Sequence, residues 1–412
     1  MKIIDGSITS PKGFLAGGMA VGLKKHRKDM AVLLSTSACT VAGAFTTNKV
    51  KAAPVLWDKA LVDEGVEGYA LVVNSGNANA YTGEQGLKDT EKMASLLASS
   101  LNSSMKLLPT LTEKNVFVCS TGVIGVPLPM DTVEKGIATI AKSLKKEKGH
   151  DAAEAICTTD THTKEICVEL EVGGKKVRMA AMAKGSGMIH PNMATMLSFI
   201  TTDAAVDRNA LQKLLGSTIE ESYNMVSVDG DTSTNDTVLV FANAQSHAPL
   251  LDESSPDWPA FASAFLFVHT AIAKEIVRDG EGASKFIEVH MTGAESKEDA
   301  KVLAKSVITS SLVKAAFFGS DANWGRILCA MGYSGASFDP SLVTLSFSSA
   351  KGTIKVVGKG IPLPFDEYRA KTILLEKEIH VEVNVGTGAG EATAWGCDLS
   401  YEYVRINGDY RS

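Results

Sequence analysis

The sequence contains no CxxC pair, no HxH or HxxxH pair, and no run of about 18 apolar residues. Each absence removes a class of protein. The six cysteines (Cys39, Cys119, Cys157, Cys167, Cys329 and Cys397) are widely and irregularly spaced. That points to free thiols in a reducing compartment rather than the disulfide framework of a short secreted chain. The eight histidines offer no paired metal ligands. The longest apolar block, residues 261–273, is too short to cross a bilayer and contains His269. The opening MKIIDGSITSPKGF has no apolar core behind its early lysine, so no secretory signal is expected. Charge of one sign is also scarce: the net charge is −6 and the pI about 5.8. Lysine and arginine are spread along the chain apart from a short run at 142–148, read as a solvated helix end. A nucleic-acid partner, which needs a basic surface, is therefore not expected. The expectation is a cytoplasmic protein with no membrane partner.

What is present is ordinary globular composition. Hydrophobic residues make up 45% and charged residues 21% of 412 positions. Such a chain can bury a sizeable core, and its length suggests two to three domains or lobes. Periodicity predicts strands at 69–73, 116–120, 196–201, 237–241, 286–291, 342–347, 353–357, 380–385 and 399–406. It predicts helices at 89–102, 131–145 and 302–317, the second with Asp131 as N-cap and Glu134 completing a capping box. Residues 165–179 alternate around Gly173-Gly174, a β-hairpin signal. Segment 246–259 reads as a surface loop. The fold class is mixed α+β, sheet-rich lobes with helices packed on sheets in layers.

Two motifs look chemical and are read as structural. Residues 386–391, GTGAGE, lack the strand–loop–helix context of a phosphate loop and sit between two strands. Asp229-Gly230-Asp231, with Asn235 and Asp236, lacks the spacing and closing glutamate of an EF-hand, and reads as a turn. Thr195 sits where an irregular segment punctuated by Gly185, Gly187 and Pro191 enters a strand. Periodicity alone gives such a threonine no chemistry.

The motifs do more. KGSGMIHPNMATML (184–197) resembles the signature of the ornithine (glutamate) N-acetyltransferase family. So do NSGNANAYTG (74–83), CSTGVIG (119–125), CTTDT (157–161), SVDGDTSTNDT (227–237), RDGEGA (278–283), GSDANWGR (319–326) and the final ATAWGCDLSYEYVRINGDYRS (392–412). They run in the family's order over nearly the whole chain.

The resemblance implies a self-cleaving acyltransferase with an N-terminal-nucleophile-like fold. The cut falls between Ala194 and Thr195, giving an α chain of residues 1–194 and a β chain of residues 195–412. A threonine hydroxyl needs a base, and the α-amine freed by the cut, with a reference pKa of ~8, is one. By resemblance, Thr121 and Gly122 form the oxyanion hole. Thr158 (or, one residue on, Thr159), Lys184, Glu281, Asn407 and Ser412 join Thr195 at the substrate. The family usually ends in threonine; Ser412 likewise offers a hydroxyl and a carboxylate. The implied reaction moves an acetyl group from N2-acetylornithine to glutamate by a ping-pong path. No cofactor is implied, although some relatives also accept acetyl-CoA as donor. The implied assembly is a heterotetramer of two α and two β chains. Two other readings share the same residues: an N-terminal-nucleophile amidase in which water resolves the acyl-enzyme, and a non-catalytic amino-acid-binding protein.

Overall fold

The computed structural model describes residues 1–105, 109–190 and 196–409. Its first sheet has nine strands: β1 (Lys2–Ile4), β2 (Phe14–Met19), β3 (Met30–Phe45), β4 (Gly68–Asn77), β5 (Val116–Val123), β6 (Lys164–Val172), β7 (Lys175–Lys184), β8 (Leu197–Thr202) and β10 (Thr237–Ala242). The order is β1-β6-β7-β8-β10-β3-β4-β5, with β2 also on β3. The second sheet comprises β9 (Val226–Ser227), β11 (Phe286–Ala294), β12 (Thr344–Ser349), β13 (Gly352–Gly358), β14 (Ile361–Pro362), β15 (Glu378–Asn384) and β16 (Gly390–Cys397), in the order β14-β13-β12-β15-β11-β16-β9. Both sheets mix parallel pairs, such as β8–β10, β4–β5 and β11–β15, with antiparallel ones.

The helices are α1 (Ala53–Glu64), α2 (Gly83–Ser104), α3 (Met130–Ile140), α4 (Gly149–Ile156), α5 (Arg208–Glu221), α6 (Trp258–Arg278), α7 (Lys297–Thr309), α8 (Ser311–Phe318), α9 (Trp324–Gly332), α10 (Glu367–Leu374) and α11 (Tyr401–Asp409). They pack in layers. Met179, Ile200 and Val240 on one face of the first sheet meet Phe261, Phe265 and Val268 of α6, and the same core runs on through α7 to Val289 and Val381 of the second sheet. On the first sheet's other face, Leu33, Phe117, Phe199 and Leu239 pack with Ala152 and Ile156 of α4. Helices α2 and α3 cover β3–β5 through Leu97, Val133 and Ile137. Each fully buried aliphatic or aromatic side chain contributes about 1.5–3 kcal/mol, so these layers rather than helix propensity hold the elements in place.

The α+β layering expected from the sequence is present, and the hairpin at Gly173-Gly174 turns with φ +54° and +73°, as a tight hairpin turn of that type requires. Three elements differ from expectation. The helix expected at 131–145 runs Met130–Ile140 with Pro129 at the N-cap, so Asp131 lies in its first turn and forms no capping box. The helix expected at 302–317 is two helices. Ser310, extended at φ −70° and ψ 112°, ends α7 and caps α8 by accepting from the Val313 N–H. The strand expected at 399–406 is helix α11. Of YEYVRI only Tyr403 and Ile406, one helical turn apart, are half-buried, and Ser400 Oγ at the entry with an Arg405–Glu402 ion pair one turn apart also favours the helix.

By length and apolar composition α6 could cross a membrane. It is a core helix here, with nine buried residues. Among them is His269, fully buried between Phe265 (4.3 Å) and Tyr223 (5.4 Å), with neither ring nitrogen hydrogen-bonded among the described residues. Burial pushes its pKa down to about 3. The unfolded chain, near ~6.5, then binds the extra proton between those values. Stability is therefore full above about pH 6.5 and is lost as pH falls towards 3, at up to ~1.4 kcal/mol per pH unit. Replacing His269 by Phe should make urea-unfolding stability fall less steeply from pH 6.5 to 4.5 than in the parent protein. Parallel curves would show that His269 is not the linked group.

Candidate active site

Strand β5 ends at the first candidate feature. Gly122 has φ +133°, and a Cβ there would lie 2.3 Å from the Gly76 carbonyl carbon and 2.5 Å from the Asn77 nitrogen. Only glycine lets β5 run this close to β4 at the bulge between them. Thr121 beside it is buried, and Lys184 Nζ, at the end of β7, lies 3.4 Å from Thr121 Oγ1. Lys184 pairs in register with Leu197 at the start of β8, two residues beyond Thr195 in sequence.

A cavity of about 160 Å³ opens here, and six expected residues line it: Thr121, Gly122, Thr158, Lys184, Glu281 and Asn407. They come from β5, the turn after α4, β7, the turn after α6, and α11. Glu281 accepts from Asn407 Nδ2 at 2.8 Å, and its carboxylate fills the space a side chain at Gly187 would need. Thr158 and Thr159 both line the wall, and Thr159 Oγ1 is 2.7 Å from Ser186 Oγ. Ala194, Thr195 and Ser412 lie outside the described residues. The cavity is smaller than the ~300–1,000 Å³ of sites for drug-sized ligands, and so matches something the size of an amino acid. Its described lining contains one cation, Lys184, and one anion, Glu281, and neither histidine nor cysteine.

Residues behind the wall hold it, and sequence inspection missed most of them. Lys164 Nζ, fully buried, lies 2.7 Å from Asp160 Oδ1 and 2.5 Å from Asp279 Oδ2. Asp160 also accepts the N–H of Gly185 (2.7 Å) and of Thr158 (2.8 Å), and Asp279 that of Thr161 (3.0 Å). Burial alone would raise the Asp160 carboxyl. Lys164, Lys184 and the Gly185 N–H outweigh it and hold the group well below the usual carboxylate range. Asn235 Nδ2 donates to the carbonyls of Ala78 (2.6 Å) and Ser120 (2.7 Å), fixing the approach to Thr121. Asp229 accepts from Met188 N (2.6 Å) and Ile189 N (2.9 Å), and Met188 takes φ +56°. Segment 229–236 is thus the turn expected, and it braces the site. Only its membership in SVDGDTSTNDT signalled this beforehand.

A family model described as the ArgJ family matches residues 15–412. The chain belongs to the ArgJ family. An arginine biosynthesis bifunctional protein ArgJ of Caldanaerobacter subterraneus subsp. tengcongensis is 50% identical over 412 residues, all of both chains. The ArgJ 1 protein of Clostridium acetobutylicum is 52% identical over 415 residues, covering all of this chain and 99% of its own. A solved structure of the arginine biosynthesis bifunctional protein argJ of Bacillus halodurans is 44% identical with a TM-score of 0.50, and it covers 52% of this chain and all of its own. Family membership makes this protein an acyltransferase of arginine biosynthesis.

Replacing Lys164 by Met leaves two buried carboxylates without their cation. We expect a loss of about 3–5 kcal/mol in denaturant unfolding. A midpoint unchanged from the parent protein would mean that water or another cation already compensates Asp160 and Asp279.

Proposed function

We propose that the chain cuts itself between Ala194 and Thr195 and that Thr195 then carries an acetyl group from N2-acetylornithine to glutamate. In the first half-reaction Thr195 Oγ attacks the acetyl carbonyl, its proton passes to the freed α-amine, the C–N bond breaks, and ornithine leaves with that proton. In the second, the α-amine of glutamate attacks the acetyl ester, N-acetylglutamate forms and the threonine hydroxyl is restored. Thr121 and the Gly122 N–H receive the oxyanion, an interaction whose loss costs roughly 10²–10³ in rate. Lys184 takes a carboxylate. Glu281, steadied by Asn407, takes an ammonium, and Thr158 and Ser412 complete the substrate contacts.

The observation that carries this reading is the meeting of six residues from distant segments around one small cavity whose described lining lacks a histidine or cysteine. An N-terminal amine can serve a weak hydroxyl nucleophile as its base, which leaves Lys184 and Glu281 for the charges of the substrate. No cofactor enters the exchange. Acetyl-CoA is a second donor in this reading, the compartment is the cytoplasm, and two αβ units pair as a heterotetramer.

Intact mass spectrometry tests the cut. Purified protein should give two polypeptides, 1–194 and 195–412, and a Thr195→Ala variant should stay whole. A single uncut chain in both samples would remove the amine from the mechanism. The acceptor is tested by product analysis: N-acetylglutamate with glutamate present is expected, whereas acetate formed at the same rate with or without glutamate would make the protein a hydrolase.

A further inference from the structure

A basic loop stands beside the pocket and has no task in the exchange. Residues 24–28 read KKHRK on a chain whose net charge is −6. Buried Asp29 anchors the loop by accepting the backbone N–H groups of Val21 (2.6 Å), Gly22 (3.1 Å), Leu23 (2.7 Å) and Lys24 (2.8 Å). Four such bonds fix the course of the loop around the buried carboxylate. Lys24 Nζ donates to the Cys157 carbonyl at 2.7 Å, and Arg27 Nη1 to the Thr158 carbonyl at 3.1 Å. The loop is therefore seated on the turn that forms one wall of the pocket. Lys25 and His26 are exposed and form no hydrogen bond or ion pair among the described residues.

Cys157, Asp160 and Thr161 of the same turn also line a groove of about 470 Å³, together with Arg27, Lys28, His150, Glu154 and His162. Its carboxylates are already engaged. Lys28 is paired with both Asp151 and Glu154, His150 lies 2.6 Å from Glu165, and Asp160 is buried against Lys164, which leaves Lys24, Lys25 and Arg27 as the loop's cations without a carboxylate partner among the described residues.

The pocket itself, about 160 Å³, has no room for a nucleotide. A donor that brings its acetyl group on a long arm ending in a phosphorylated nucleotide must leave its phosphates outside. The acidic surface at large repels them, and the anchored loop at the pocket's edge attracts them. We propose that loop 24–28, with the adjoining groove, binds the phosphates of acetyl-CoA. This rests on the reading of Thr195 as acetyl carrier. Thr195 Oγ attacks the thioester carbonyl, the C–S bond breaks, the thiol leaves with the hydroxyl's proton, and the acetyl group passes to glutamate as before.

The test separates the two donors. Lys25→Glu should raise KM for acetyl-CoA about tenfold or more, while KM for N2-acetylornithine and for glutamate in the exchange stays the same. The acetyl-CoA KM of the parent protein should also rise with salt more steeply than that of the variant. Arg27→Ala should weaken acetyl-CoA use in the same direction. Calorimetry with adenosine 3′,5′-bisphosphate should show binding to the parent protein and weaker binding to Lys25→Glu. An unchanged acetyl-CoA KM in Lys25→Glu, an equal change in KM for glutamate, or no bisphosphate binding to the parent protein would overturn the inference. Loss of the N2-acetylornithine exchange in the parent protein would instead overturn the reading of Thr195.

Discussion

Lys164 sits between Asp160 and Asp279 with no exposed surface, and four segments that build the pocket meet at this triad. Asp160 belongs to the turn carrying Thr158, Lys164 opens β6, the Gly185 N–H begins the segment after Lys184, and Asp279 follows α6 just before Glu281. Two carboxylates and one ammonium leave a net negative charge in a desolvated place. It persists because backbone N–H groups of Thr158, Thr161 and Gly185 fill the remaining lone pairs and because Lys184 lies close enough to act on Asp160. The triad thus couples Lys184 to the walls. Moving any one segment would strand a buried charge.

The layers around the triad serve the same end. Helix α6 is held between the two sheets by Phe261, Phe265 and Val268, so the Asp279–Glu281 turn at its end has a fixed position. Strand β5 is held against β4 by a glycine that no other residue can replace without a clash. Asn235 ties both strands' ends to the segment before β10. Rigid elements therefore present the polar groups that line the cavity.

Much of the site was legible in the sequence because its residues sit in contiguous motifs. CSTGVIG, CTTDT, KGSG and RDGEGA each bring a lining residue, and Thr121, Gly122, Thr158, Lys184 and Glu281 all line one cavity. What was not legible depends on contacts far apart along the chain. Nothing local announces that Lys164 meets an aspartate 115 residues away. The end of the chain was misread because YEYVRI alternates like a strand, whereas the face that decides is its weakly buried i, i+3 pair, Tyr403 and Ile406. The break at Ser310 was hidden because the apolar stripe continues across it, and only the cap geometry shows the stop. The basic run at 24–28, KKHRK, was passed over, because 142–148 stood as the one departure from evenly spread lysine and arginine.

The central claim is that one threonine hydroxyl, served by the amine that cleavage frees, carries the acetyl group. The most direct test adds N2-acetylornithine to the purified enzyme without glutamate, quenches it, and maps the acetyl group by peptide mass spectrometry. A single acetyl ester on Thr195, discharged when glutamate is added, is the predicted result. Ornithine release with no acetyl group on the protein, or an acetyl group on Lys184 instead, would contradict the account.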